Sequence, residues 1–352
     1  MSGSIGYYVH HHGSGHLARA LAIVGQTSDH FTVLGTGLAG RTGGVPFIDL
    51  EDDRALDDAS FRGNDGVKHR PEALHYAPLG HPGVRRRVSV VAGWIETCAP
   101  SLMVIDVSVE LAMLSRLAAT PTVYVRLSGD RTDPAHLEAF RGAAAILAPF
   151  HPDLDDPLTP SWVRAKTKYF PAMGPQTVSV AVDPAKVVVV FGSGGGEANG
   201  AVLAGAARRT PERMWHVLGP ATTISDPPPN LAFRGWVDDA EAEIASAGVV
   251  VGSAGDGVVG AVMAADRPFL CLPQARPYAE QTSKAHALGA LGAAVILDSW
   301  PQDHAWPELL LRAQAPAGDA RTRLSRGGGA AEARAWIQSL AAACQTSTGA
   351  NQ

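Results

Sequence analysis

Short apolar runs alternate with amphipathic stretches along both halves of this chain. The first run, Gly6-Tyr7-Tyr8-Val9, is apolar at consecutive positions, the pattern of a strand buried on both faces. It leads into the polar, glycine-rich stretch His10-His11-His12-Gly13-Ser14-Gly15-His16. The period then changes. Leu17, Ala20, Leu21 and Val24 fall on one face of a helix that the pattern opens at Leu17. Further apolar runs at 31–34, 45–50, 102–105, 122–125 and 144–147 predict strands, with helices over 84–98 and 110–119 between them.

Two stretches break the alternation. Residues 51–82 are polar, rich in Asp, Arg and Gly, and lack a period, as binding loops and connectors do. Residues 151–184 carry many prolines and charges with little periodicity, and we place a domain boundary there. A second alternating block starts with Lys186-Val187-Val188-Val189-Val190-Phe191, an apolar run that enters Gly192-Ser193-Gly194-Gly195-Gly196-Glu197. A helix follows through Arg208, then strands at 214–218, 231–233, 248–251, 268–272 and 293–297. The last helix, 330–343, follows a triple-glycine run at 327–329. The expected organisation is α/β, with two Rossmann-like domains facing a central cleft. Its parts are an N-terminal domain over 1–170, a linker over 171–184, a C-terminal domain over 185–326, and a C-terminal helix and tail over 327–352 that packs back on the first domain.

Composition narrows the class. A length of 352 residues exceeds what one core usually serves, and 46% hydrophobic with 18% charged residues describes a soluble globular protein. The net charge of −5 argues against nucleic-acid binding. Cys98, Cys271 and Cys344 are far apart and odd in number, without metal-type spacing, and read as reduced thiols. With no signal-peptide pattern at the start, the expected location is cytoplasmic. The apolar stretch 247–265 is interrupted by Gly252, Ser253, Gly255, Asp256 and Gly257, so it reads as strand, loop and helix rather than a membrane span.

The two glycine-rich turns point to chemistry. Gly13 and Gly15 let the backbone turn sharply and let a ligand approach closely. The following helix start offers unpaired N–H groups and the positive end of a dipole, which suits a phosphate or sugar. With a matching turn at Gly192, Ser193, Gly194 and Gly195, the chain resembles the GT-B glycosyltransferases. It is most similar to the group of the peptidoglycan N-acetylglucosaminyltransferase and related UDP-sugar transferases. Three further stretches carry the resemblance: Phe233-Arg234-Gly235-Trp236-Val237-Asp238-Asp239, then Gly252-Ser253-Ala254-Gly255-Asp256-Gly257, then Pro273 followed by Glu280-Gln281.

The resemblance implies an inverting, metal-independent transfer from a UDP- or dTDP-type nucleotide sugar to a small-molecule, glycan or lipid-linked acceptor, with no cofactor. In that family the pair at Trp236 and Val237 presents backbone to the base. The diphosphate sits at Ser253, Ala254, Gly255, Asp256 and Gly257, and Glu280 and Gln281 hold the donor sugar. Gly13, Ser14 and Gly15 complete the implied donor site. Three positions depart from the family. Ser253 stands where a histidine or arginine is usual, Ala261 where a glutamate grips the ribose, and Asp256 brings a negative charge or a helix cap to the phosphate loop. A nucleotide-sugar epimerase or a non-catalytic binding protein of the same fold are the alternatives.

Transfer needs a base for the acceptor hydroxyl. His16 is the candidate, because histidine alone has an ordinary side-chain pKa near neutrality. Asp106 ends the apolar strand 102–105 and either orients that imidazole or caps the next helix. Two metal readings stand beside this one: a histidine cluster of His10, His12 and His16, and the string Asp153-Leu154-Asp155. Arg85-Arg86-Arg87 reads as a solvated helix face or a contact for an anionic acceptor or membrane.

Overall fold

The structure, a computed structural model, describes residues 4–11, 14–25, 30–54, 70–174, 180–191, 198–222, 224–315, 319–326 and 329–349. The apolar runs of the first half become parallel strands because each is followed by a helix that returns the chain across the sheet. The elements are β1 (Ile5–Val9), α1 (Ser14–Val24), β2 (Phe31–Gly35), β3 (Phe47–Asp49), α2 (Pro82–Cys98), β4 (Leu102–Asp106), α3 (Val109–Leu117), β5 (Thr122–Val125), α4 (Pro134–Gly142), β6 (Ala145–Ala148), α5 (Ser161–Lys166) and β7 (Thr167–Tyr169). The strand order is β3-β2-β1-β4-β5-β6-β7, parallel throughout. The central strands β1 and β4 are buried at every residue, as strands covered on both faces must be. Gly6 permits the close approach of α2, since a Cβ there would lie 2.2 Å from Met103 Sδ and 2.8 Å from the Trp94 ring.

The second half repeats the scheme with β8 (Asp183–Val190), α6 (Gly200–Arg209), β9 (Met214–Leu218), β10 (Leu231–Gly235), α7 (Ala240–Ala245), β11 (Ala247–Gly252), α8 (Asp256–Ala264), β12 (Phe269–Cys271), α9 (Glu280–Ala290), β13 (Val295–Ile296), α10 (Trp306–Ala313), α11 (Ala320–Leu324) and α12 (Gly329–Gly349). Its sheet runs β10-β9-β8-β11-β12-β13, again parallel. In each sheet the strand order reverses once, between β1 and β4 and between β8 and β11. Ligands of open α/β sheets bind outside the carboxyl ends of the strands at such reversals.

The two halves pack directly on each other. Ala148, Phe150 and Leu154 of the first half share a core with Val258, Val259, Met263 and Leu288 of the second. Ser283 Oγ donates to Asp156 Oδ2 at 2.5 Å, and the Asp130 amide donates to the Tyr278 carbonyl at 2.8 Å. Helix α12 returns to the first half, where Ala333, Ile337 and Ala341 join the core beneath α1. Among the described residues, no helix is long and apolar enough to cross a membrane.

Three expectations change. Helix α1 opens at Ser14 rather than Leu17, so Gly15 and His16 lie in its first turn. Segment 151–184 is less irregular than its composition suggests, because α5 and β7 extend the first sheet to its edge. Strand β7 is only three residues long and half-exposed, which leaves no alternation to read. Arg85 and Arg86 are exposed, but Arg87 is buried and belongs to no solvated face. It donates to Tyr8 Oη at 2.6 Å, Thr36 Oγ1 at 2.7 Å and the Glu51 carbonyl at 2.8 Å.

Docking of α12 predicts that Ile337→Ala, which empties a fully buried site, lowers stability by about 2–5 kcal/mol. Leu311→Ala, on an exposed face of α10, should cost within about 0.5 kcal/mol. Chemical denaturation of both variants checks this. Equal small losses would contradict the docking.

Candidate active site

The first reversal places an acid at the end of β4. Asp106 is fully buried, and a carboxylate taken out of water needs partners. Helix α1 supplies them, since His16 and Arg19 are three residues apart and share a face. His16 Nδ1 lies 3.0 Å from Asp106 Oδ2, and the Arg19 NH2 group donates to both carboxylate oxygens at 2.9 Å. The same Arg19 nitrogen is 3.0 Å from His16 Nδ1. His16 Nδ1 thus lies between the Asp106 carboxylate and the Arg19 guanidinium; in the tautomer whose Nδ1–H donates to Asp106, Nε2 is the basic nitrogen. Burial would raise the Asp106 pKa, but Arg19 and then His16 outweigh it and hold the carboxyl at about 2. The next residue, Val107, has φ of 54°, a conformation costly for a β-branched side chain. It turns the chain so that Ser108, not Asp106, caps α3, accepting from the Leu111 amide at 3.2 Å.

The second reversal lies at the end of β11. Ser253 is 1% exposed, and its Oγ has no hydrogen-bond partner among the described residues. Gly255 is the N-cap of α8 with φ of −69° and supplies no side-chain cap. A Cβ on it would meet only Ser253 Oγ and Gln281 Nε2, each at 3.8 Å. Gln281 Oε1 accepts from the Ala254 amide at 3.2 Å and the Gln274 amide at 2.9 Å, which turns its NH2 group toward Gly255. Gln281 therefore braces the loop as well as facing it.

Asp256 is the first residue of α8 and does not cap it. Its carboxylate is hydrogen-bonded by Lys284 Nζ, and Arg19 Nη1 stands 4.0 Å away. Burial would raise the Asp256 pKa, but Lys284 and then Arg19 hold it below the usual carboxylate range. His16, Asp106, Arg19, Asp256 and Lys284 thus form one chain of charged and polar groups linking the two reversals.

The remaining expected residues lie around this chain. Glu280 opens α9, its Oε2 3.4 Å from Arg131 and its carbonyl accepting from Ser128 Oγ at 3.3 Å. Arg131 also stacks 4.7 Å over Tyr278. Trp236 follows β10 and is 69% exposed, while Val237 packs on the second core. Gly257 lies in the first turn of α8 with open space around it, and Ala261 packs against the core. Ser14 and Gly15 open α1. His12, Gly13, Gly192, Ser193, Gly194 and Gly195 lie outside the described residues.

The metal readings meet two findings. Asp155 accepts from Arg126 at 2.8 and 2.9 Å and from Tyr169 Oη at 2.5 Å, so its carboxylate serves the fold. Among the described residues, the one group with metal-ligand spacing is His11, Asp52 and Asp53, with ligand atoms within 4.8 Å of one another. Sequence reading missed Arg19, Lys284 and Arg131. Only the three-residue spacings of His16 to Arg19 and Gln281 to Lys284 hinted at the first two.

No protein-family model and no curated protein sequence matches the chain. Solved structures do. The spinosyn forosaminyltransferase SpnP superposes with a TM-score of 0.72 at 15% identity, covering 97% of this chain and 100% of that one. The spinosyn rhamnosyltransferase SpnG, solved with thymidine diphosphate, gives 0.66 at 16% identity over 96% and 99%. MurG of Acinetobacter baumannii gives 0.64 at 16% over 96% and 99%. The chain has the GT-B fold of these glycosyltransferases.

The pairing of Asp106 sets a pH dependence. Its folded pKa lies below the ordinary 3.8, at about 2. The unfolded chain therefore binds the extra proton first, and stability is lost as pH falls from the ordinary value through the folded one. Melting temperatures across that range should fall more steeply for the wild type than for Asp106→Asn. Parallel curves would contradict the pairing.

Proposed function

We propose that the chain is an inverting, metal-independent glycosyltransferase that moves a sugar from a UDP- or dTDP-type nucleotide sugar to an acceptor hydroxyl. The observation that carries this reading is the opposition of two unlike sites. A histidine–carboxylate pair stands at one reversal. At the other, a helix start without a side-chain cap carries a buried serine that lacks a partner among the described residues. The thymidine diphosphate held by SpnG supports a pyrimidine nucleotide.

In this reading the N-terminal half binds the acceptor and the C-terminal half binds the donor. His16 Nε2 takes the acceptor proton as the acceptor oxygen bonds to the anomeric carbon and the bond to the diphosphate breaks. Asp106 holds the imidazole in the tautomer that leaves Nε2 free and stabilises its charged form. Leaving-group charge is met by backbone N–H groups of Ser253 and of Gly255 to Gly257 and of the loop Gly192 to Gly195, with the Ser253 hydroxyl and the dipole of α8. The Gln281 NH2 group faces the same loop, and Glu280 accepts from a sugar hydroxyl. Displacement in one step inverts the anomeric centre. No step draws on a metal ion. The cytoplasm is the proposed location.

The test is acceptor-dependent release of nucleoside diphosphate from UDP- and dTDP-sugars over a panel of hydroxylic acceptors. His16→Ala should lower kcat by about 10²–10⁴ with donor affinity little changed. Turnover should persist in EDTA. Release without acceptor, with the sugar isomerised, would mark an epimerase. Unchanged kcat in His16→Ala would remove the base, and loss of turnover in EDTA, restored by a divalent ion, would overturn metal independence.

A further inference from the structure

The donor end of the site holds a charge pair that the proposed transfer does not use. Lys284 is fully buried on α9, and its ammonium bonds the carboxylate of Asp256. An ammonium removed from water is retained only against a partner. Arg19 is not that partner's main ally, because it sits 2.9 Å from Asp106 but 4.0 Å from Asp256. Asp256 and Lys284 are therefore the tight pair, and Arg19 belongs first to the acceptor side.

The position of Asp256 matters as much as its partner. It is the first residue of α8, where N–H groups and the helix dipole favour an anion. Its N-cap, Gly255, has no side chain with which to cap this helix start. The Ser253 Oγ beside it is buried and lacks a partner among the described residues, and the Gln281 NH2 group is turned toward it. These are donors awaiting an anion, and one anion is already built into the chain beside them. Position 253 carries no cation, and Lys284, bonded to the first residue of α8, is a cation of the C-terminal half held at that helix start.

Building on the glycosyltransferase reading, we propose that Lys284 is the diphosphate-binding cation of this site and that Asp256 is an internal counter-anion competing with the diphosphate for it. A bound diphosphate draws the ammonium away from Asp256. When the product nucleotide leaves, Asp256 reclaims it. The pair keeps the buried Lys284 ammonium partnered while the site is empty, and it weakens the grip on the leaving nucleotide.

Calorimetric titration of UDP and dTDP, with uridine and thymidine as phosphate-free controls, tests this. Asp256→Asn should tighten diphosphate binding by about tenfold, the effect of one nearby charge, and Lys284→Met should weaken it by about as much. Nucleoside binding should stay as in the wild type. Should Asp256→Asn unfold because Lys284 is left buried without a partner, as circular dichroism would show, Lys284→Met decides alone. Diphosphate binding by Lys284→Met equal to wild type overturns the proposal, as does weaker binding by a folded Asp256→Asn. If UDP and dTDP bind neither the wild type nor any variant, the glycosyltransferase reading itself fails. If they bind all of them equally, only the role of this pair fails.

Discussion

A buried carboxylate at the end of a strand must be paired, and the arrangement of this site follows from meeting that need twice. Asp106 ends β4 and is closed off from water, and Asp256 begins the helix after β11 and is mostly buried there. Each draws a cation into the interior, Arg19 from α1 and Lys284 from α9. Arg19 reaches toward both acids, so the electrostatics of one half are balanced partly by the other. Breaking one partner would strand the rest, which ties the geometry of His16 to the packing of the whole molecule.

The fold was largely legible from sequence because its central strands are built on unbroken apolar runs. Runs such as 102–105 and 186–191 can be little else when helices with a 3.6-residue period flank them. What escaped was short or polar. Strand β7 consists of Thr167, Lys168 and Tyr169 and takes its conformation from the neighbouring β6, a tertiary effect with no local signal. Helix α1 began earlier than expected because Ser14, Gly15 and His16 are weak helix formers that read as a turn.

The site was legible in part, for a physical reason. Strand ends and glycine-rich turns leave a trace in sequence, so the neighbourhoods of His16, Asp106 and Gly255 could be named. The partners of buried charges leave almost none. Arg87 sits in a run of three arginines, yet only the helix period decides that it alone turns inward onto Tyr8 and Asp53. Lys284 resembles any surface lysine of an amphipathic helix. Asp256 read as a helix cap because aspartate favours that role, but Gly255 holds it and the carboxylate serves Lys284 instead.

The likeness to SpnP, SpnG and MurG at 15–16% identity carries the fold, and the chemistry must stand on the residues. The most direct measurement is a thermal-shift panel of pyrimidine and purine nucleotides and nucleotide sugars on the wild type and Gly255→Leu. The φ of −69° at Gly255 suits any residue, and a Cβ there would meet Ser253 Oγ and Gln281 Nε2 at ordinary contact distance, 3.8 Å, so the larger side chain projects into the donor end. Pyrimidine nucleotide sugars should stabilise the wild type, by about 2.7 kcal/mol at a hundredfold excess over Kd. Gly255→Leu should melt nearly where the unliganded wild type does and show no shift. A wild type that responds to no nucleotide, or a Gly255→Leu variant that keeps the full shift, would contradict a donor bound at the start of α8.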